Sequence, residues 1–367
     1  MGNALEYFSA EEVERAGRYH RPRYVLLLVN LVLGLAVLAV LAFSWPGDRL
    51  DDALQRLGWA GAAAVWAAVV VVVLEAMRLP GAYWVGYLRE HQYGFSRQSV
   101  WGWIGDQAKG LAVGLVLTVA TLTVFVALAR AFPSAWPLVA APALALAVLV
   151  LSFVAPVVLE PLFNRFDPLE DEELAARLRG VADRAGVPVR DVLVADASRR
   201  TTKHNAYVSG LGRTRRVVIY DTLLAAGRPR ELELVVAHEL GHRRMRHVLK
   251  GTLLGVAGAV FFVVFLWGLL HWAALPAPSD PRVVPVVLFF GAVLELPAMV
   301  FGSALSRSWE RDADRFSLEL TGDREVYRAT HLDLARANLS DLDPPRLLYV
   351  LVFTHPTPPA RLAAAGV

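Results

Sequence analysis

The 367-residue chain contains no cysteine. Disulfides, thiolate metal sites and a cysteine nucleophile are therefore excluded. An excess of either charge is also lacking. Lys and Arg number 37 against 34 Asp and Glu, a formal net charge of +3. That balance gives no case for a nucleic-acid partner. The first twenty-odd residues are charged and hold no apolar core, so no cleavable signal peptide is expected. Apolar residues, by contrast, are plentiful. A hydrophobic content of 56% and a mean hydropathy of +0.43 point to a membrane protein.

Six apolar runs are long enough to cross about 30 Å of hydrocarbon. They cover 24–45, 57–77, 110–132, 138–159, 251–275 and 283–303. Four units follow: a membrane region over 1–159 with four spans, a polar segment over 160–250, two further spans over 251–303, and a polar helical tail over 304–367. Before the first span, Ser9-Ala-Glu-Glu12 has the form of a capping box. Basic residues lie on one side of a six-span arrangement: Arg15, Arg18, Arg21 and Arg23, then Arg89 and Arg97, then the polar segment. By the positive-inside rule both termini and the polar segment face the cytoplasm. His271 and Trp272 suit one interfacial belt, and Trp101 and Trp103 the other.

The key stretch is Glu231-Leu-Glu-Leu-Val-Val-Ala-His238-Glu239-Leu-Gly-His242. It reads as a helix with one apolar side. His238 and His242 lie one turn apart on one face, a spacing that lets both grip one Zn²⁺. Glu239 can reach a water activated by that metal and act as general base. With only nine histidines in the chain, His-Glu-x-x-His is a rare accident. Downstream, Glu310 is the candidate third ligand. Asp314, one turn later, is placed to orient a ligand histidine. His247 reads as a residue behind the metal ligands or an interfacial cap. Before this helix, Asp167–Ala185 reads as an amphipathic helix. Asp191–Ala195 and Arg216–Tyr220 read as strands, and Ser209–Arg213 as a turn, which predicts a small antiparallel sheet. Its edge could accept an extended peptide.

These motifs and their flanks resemble the type I CAAX prenyl endopeptidases, integral-membrane zinc metalloproteases of the gluzincin type. The flanks include Tyr93-Gly-Phe-Ser-Arg-Gln-Ser, Glu160-Pro-Leu-Phe-Asn-Arg-Phe-Asp-Pro-Leu, His204-Asn205-Ala206-Tyr207, Val218–Leu224, and His355-Pro356 with Arg361. The resemblance implies a mainly α fold: a polytopic helical barrel joined to a metalloprotease segment. It implies that Asn205, Ala206 and Tyr207 hold the substrate backbone. It implies that His355 steadies the oxyanion and that Arg361 supports the site electrostatically. The family's eukaryotic members have seven spans, so six is a departure. Glu295, inside the sixth run, either lines a water-filled chamber or hydrogen-bonds a neighbour beside Pro297.

The sequence thus points to a zinc-dependent endopeptidase in the lipid bilayer, acting on a membrane-associated peptide or protein. The substrate would be CAAX-like, or hydrophobic and misfolded. The Ala-, Val-, Leu- and Arg-rich composition suits a bacterial cytoplasmic membrane. The competing reading is a non-enzymatic scaffold or transporter with a structural zinc. That reading needs a closed four-ligand site and leaves Glu239 without a task.

Overall fold

The computed structural model describes residues 2–210, 215–226 and 228–367. Helices α1 (Ala10–Phe43), α2 (Trp45–Leu54), α3 (Gly58–Tyr83), α4 (Val100–Ala131) and α5 (Trp136–Val154) form the first region. Five-residue π turns extend α3 through Trp84–Leu88 into Arg89–Gln92, and α5 through Ala155–Leu159 into Glu160–Phe163. The expected capping box is present. Ser9 Oγ accepts from Glu12 N–H at 3.2 Å, and Glu12 Oε2 accepts from Ser9 N–H at 2.8 Å. Two N–H groups that a helix start leaves unpaired are satisfied in this way. Among the described residues six helices are long and apolar enough to span a membrane, and each predicted run falls on one of them; the runs 24–45, 110–132 and 251–275 pass the helix ends at Phe43, Ala131 and Trp272. Trp101 is exposed, as a belt residue should be, but Trp103 is buried. Its ring packs against Tyr83 at 5.4 Å and Tyr87 at 6.0 Å, because the extension of α3 folds over it.

The polar segment holds strands β1 (Phe166–Pro168), β2 (Asp191–Ala195), β3 (Ala206–Ser209) and β4 (Arg216–Tyr220), with helices α6 (Glu172–Arg184) and α7 (Pro229–Arg244). The sheet is mixed, not antiparallel as predicted: its order is β1-β2-β4-β3, and β2 runs parallel to β4. β3 lies one place beyond β2, and β4 returns into the gap. Val217, Val218 and Ile219 are all buried, the continuous apolar run of a central strand. The predicted helix at Asp167 begins five residues later. Phe166–Pro168 pairs with β2 instead, and Asp171 caps α6 by accepting from Leu174 N–H at 2.9 Å. The expected turn at Ser209–Arg213 lies outside the described residues from 211 onward.

Leu178 and Val181 of α6, Val217 and Ile219 of the sheet, and Val236 and Leu240 of α7 share one core. Each such side chain contributes roughly 1.5–3 kcal/mol when fully buried. That packing fixes the depth and rotation of α7. The chain then passes Arg246 in the left-handed region, φ 58°, and enters α8 (His247–Trp272), the fifth span. Helix α9 (Val283–Thr321) is the sixth span and extends well beyond the apolar run into the polar part. Helices α10 (Arg324–Ala337), α11 (Arg346–Val352) and α12 (Pro358–Ala365) complete the tail.

Candidate active site

Helix α7 packs against the polar half of α9. Gly241 makes the close approach possible: a Cβ there would lie 3.0 Å from the Phe316 ring and 3.3 Å from the Ala313 Cα. The result brings Glu310 against the two histidines. Glu310 Oε2 lies 3.3 Å from His238 Nε2, and Oε1 lies 3.2 Å from His242 Nε2. The two Nε2 atoms are 3.2 Å apart. One donor atom from each of the three residues lies within 4.8 Å of the others.

This arrangement suits a divalent cation. Glu310 Oε2 is buried and has no hydrogen-bond partner; its contact with His238 is close but off the hydrogen-bond axis. Two imidazole nitrogens and two carboxylate oxygens converge on one point, which either protons or a metal ion must satisfy. Without a metal, burial opposes charge on His238, but its contacts with the Asp314 and Glu310 carboxylates outweigh it and push its pKa up to about 9. Glu239, the neighbour on the same helix, takes no part in the cluster. Burial raises its carboxyl above the usual range.

Behind His238, its Nδ1 lies 3.0 Å from Asp314 Oδ1. Arg361 donates to Asp314 through Nε at 2.8 Å and through Nη2 to the other oxygen. Burial opposes the Arg361 charge, and Asp314 more than restores it. His331 completes this side: its Nε2 is 3.8 Å from Asp314, its Nδ1 is 2.9 Å from the Tyr327 carbonyl, and its ring stacks on Tyr327 at 4.1 Å. Burial lowers the His331 pKa below its ordinary value. Behind His242 the support differs. His242 Nδ1 meets His247 Nδ1 at 3.0 Å, and His247 stacks on Trp309 at 4.9 Å.

A cleft of about 520 Å³ opens on the cluster, with Asn205, Ala206, His238, Glu239, His355 and Arg361 in its walls. His355 Nε2 lies 3.3 Å from Glu310 Oε1, and Thr354 Oγ1 lies 2.9 Å from its Nδ1. Tyr207 is not among the lining residues. Its ring faces Tyr220, and its hydroxyl is 3.5 Å from Glu160. Two residues at the site carried no readable signal. His331 sits on an amphipathic helix, where a histidine alone says little. Asn338 accepts from the His204 N–H at 2.8 Å and donates to the His204 carbonyl at 3.0 Å, pinning the run into β3. A second cavity of about 710 Å³ lies among the spans, apolar except for Glu295 and two threonines.

Two histidines one turn apart, a glutamate from a second helix and a free carboxylate beside them, on a scaffold of span-length helices, define a membrane metallopeptidase. Residues 168–366 match the family model for peptidase family M48, and residues 3–165 match the model for the CAAX prenyl protease N-terminal region with five membrane helices. The chain belongs to peptidase family M48, and it is an integral-membrane metalloendopeptidase. Where the N-terminal model describes five membrane helices, this chain has four of span length among its described residues. It is 31% identical to the uncharacterized metalloprotease YhfN of Bacillus subtilis, over 100% of this chain and 88% of that protein. It is 28% identical to CAAX prenyl protease 1 of Saccharomyces cerevisiae, over 78% of this chain and 68% of that one. The crystal structure of S. mikatae Ste24p has the same fold: TM-score 0.84, 22% identity, 100% of this chain and 92% of that one.

Proposed function

We propose that the chain is a zinc-dependent endopeptidase that cleaves membrane-associated proteins on the cytoplasmic side of a bacterial membrane. The observation that carries this reading is the convergence of His238, His242 and Glu310 beneath a cleft that also holds Glu239. The donor set, two imidazoles and one carboxylate, suits zinc. Bound there, the ion supplies Lewis-acid polarisation and lowers the pKa of a water to about 7.

This chain's own residues then divide the work. Glu239 accepts a proton from the attacking water at its carboxylate and returns it to the leaving amine. Burial raises its pKa, which brings it closer to a value suited to both transfers. Asp314 receives the His238 Nδ1–H, which leaves the Nε2 lone pair aimed at the metal position. Arg361 fixes Asp314 by a two-pronged contact and keeps it ionised. His355, at the cleft mouth, donates to the oxyanion of the tetrahedral stage. Asn205 and Ala206 hold the substrate backbone against the outer edge of β3. Tyr207 supports that edge from behind, its backbone paired with β4 and its side chain set on Glu160. The four units of the sequence follow the same division: spans that recruit, a protease segment that cleaves, two further spans, and a tail that supplies Glu310.

The relatives named CAAX prenyl protease 1 suggest a substrate cut near a lipidated C-terminus. The bacterial character of the composition favours hydrophobic or misfolded membrane proteins. The orientation rests on the basic residues around 15–23 and 89–97 and in the polar segment. The test is Glu239→Gln in purified, detergent-solubilised protein. Cleavage should fall by at least about 10²-fold while metal content stays at one ion per chain. Unchanged cleavage would remove Glu239 from the reaction.

A further inference from the structure

β3 is the outer strand of the sheet, and its backbone groups alternate between β4 and the open side. The alternation is set by one bond: Tyr220 N–H donates to the Asn205 carbonyl at 3.0 Å. Asn205, Tyr207 and Ser209 therefore turn their amide groups to β4. Ala206 and Val208 turn theirs outward. Ala206 lines the cleft beside His238 and Glu239. A substrate strand laid on this edge starts at Ala206 and runs towards Val208.

At Val208 the edge is already taken. The Arg243 guanidinium donates to the Val208 carbonyl. Among the described residues it is the one side chain that donates to an outward carbonyl of β3. Arg243 follows Glu239 by four residues, so it stands on the same face of α7, one turn further on. Beyond it the strand end is tied down. Ser209 Oγ is 3.1 Å from Glu160, and Arg216 bridges Glu160 at 3.6 Å and the Pro156 carbonyl at 3.0 Å, both at the end of the fourth span.

We propose that Arg243 is a specificity-determining residue that caps the edge of β3 and stops a substrate strand at the Val208 N–H. This rests on the reading that substrate pairs with that edge. Peptide is then held in extended form by Ala206 and by one group of Val208, and past that point it leaves the sheet. Residues further out on that arm contribute nothing through their backbone. The enzyme thus tolerates folded or bulky chain close to the cut on one side.

The test is a backbone N-methyl scan of a ten-residue β-casein peptide, its cleaved bond fixed by mass spectrometry. The full chain in detergent is assayed for kcat/KM, as wild type, Arg243→Met and Arg243→Gln. In the wild type, methylating the amide that faces the Ala206 carbonyl should cost about two- to ten-fold, one hydrogen bond. Methylating the amide two residues further along, opposite the Val208 carbonyl, should cost nothing. In either Arg243 variant that second position should become sensitive by a similar factor. The two variants guard against a folding defect in one, and metal content identifies intact protein. A wild type already sensitive at both positions, or folded variants that stay insensitive at the second, would overturn the cap while leaving edge pairing intact. A wild type insensitive at every position would overturn edge pairing itself.

Discussion

The two histidines of one motif stand before different backgrounds. Behind His238 lies a chain of charge: Asp314, then Arg361, with His331 alongside. Behind His242 lies a neutral pair, His247 stacked on Trp309. A carboxylate accepting from Nδ1 makes a charge-assisted bond about twice as strong as a neutral one, and it raises the basicity of the ligand. The His238 side is therefore the firmer half of the site and also the one that must give up a more tightly held proton before a metal binds. The His242 side is held by stacking and one imidazole–imidazole contact. The tail supplies the firm half through Arg361 on α12, whereas the soft half comes from the start of the fifth span.

The largest effect should come from removing the residue the two halves share. Glu310→Ala takes away the contacts to both Nε2 atoms and should abolish stoichiometric metal and cleavage together. His238→Ala and His242→Ala should do the same. Metal analysis and a peptide-cleavage assay on folded protein check this. Full metal content in Glu310→Ala would move the third ligand elsewhere.

The next experiment sets one half against the other. Asp314→Ala should weaken metal affinity by about 10–100-fold, the usual loss for a carboxylate behind a ligand histidine. His247→Ala should cost about ten-fold or less. Competition with a chromogenic chelator measures both. Equal losses would mean that the charge behind His238 gives no advantage.

The pH trend sharpens the same contrast. In the metal-free protein the pKa of His238 is about 9, above its ordinary value near 6.5. The stability gained from its charged form is fully present below about 6.5 and lost as pH rises through about 9. Metal needs the neutral imidazole, so its binding strengthens over the same interval. The difference in Tm between metal-loaded and chelated protein should therefore widen from about pH 6.5 to 9. A constant difference would show that His238 carries no extra proton in the metal-free state.

How much was legible follows from what each feature leaves in one dimension. Span-length apolar runs are local, and all six were readable. His238, Glu239 and His242 are also local, fixed by one helical turn. Glu310 and Asp314 were readable because they share a face, though their partner lies more than sixty residues upstream. Strand order was not, because β3 and β4 carry similar apolar patterns and only three-dimensional crowding decides which lies inside. Trp103 resembles a belt residue until the extension of α3 covers it. His355 and Arg361 flank the proline cluster Pro356–Pro359 and came into view only through resemblance. His331 and Asn338 act through contacts with distant backbone and side chains, for which a single sequence offers no pattern.

The smallest expected effect is the one that best tests the helix itself. Glu310, Asp312 and Asp314 lie within five residues on α9. At about 100° per residue, Glu310 and Asp314 share a face, and Asp312 points about 160° from either. Glu310 and Asp314 are buried, while Asp312 is only half-buried. Asp312→Ala should leave metal content at one ion per chain and change cleavage by less than about two-fold, as most substitutions away from buried networks do. Glu310→Ala and Asp314→Ala, assayed beside it, should rank first and second in loss of metal. If Asp312→Ala lost metal and Asp314→Ala kept it, α9 would have to be rotated by nearly half a turn. The charged support behind His238 would then have a different source, and the contrast between the two halves of the site would collapse.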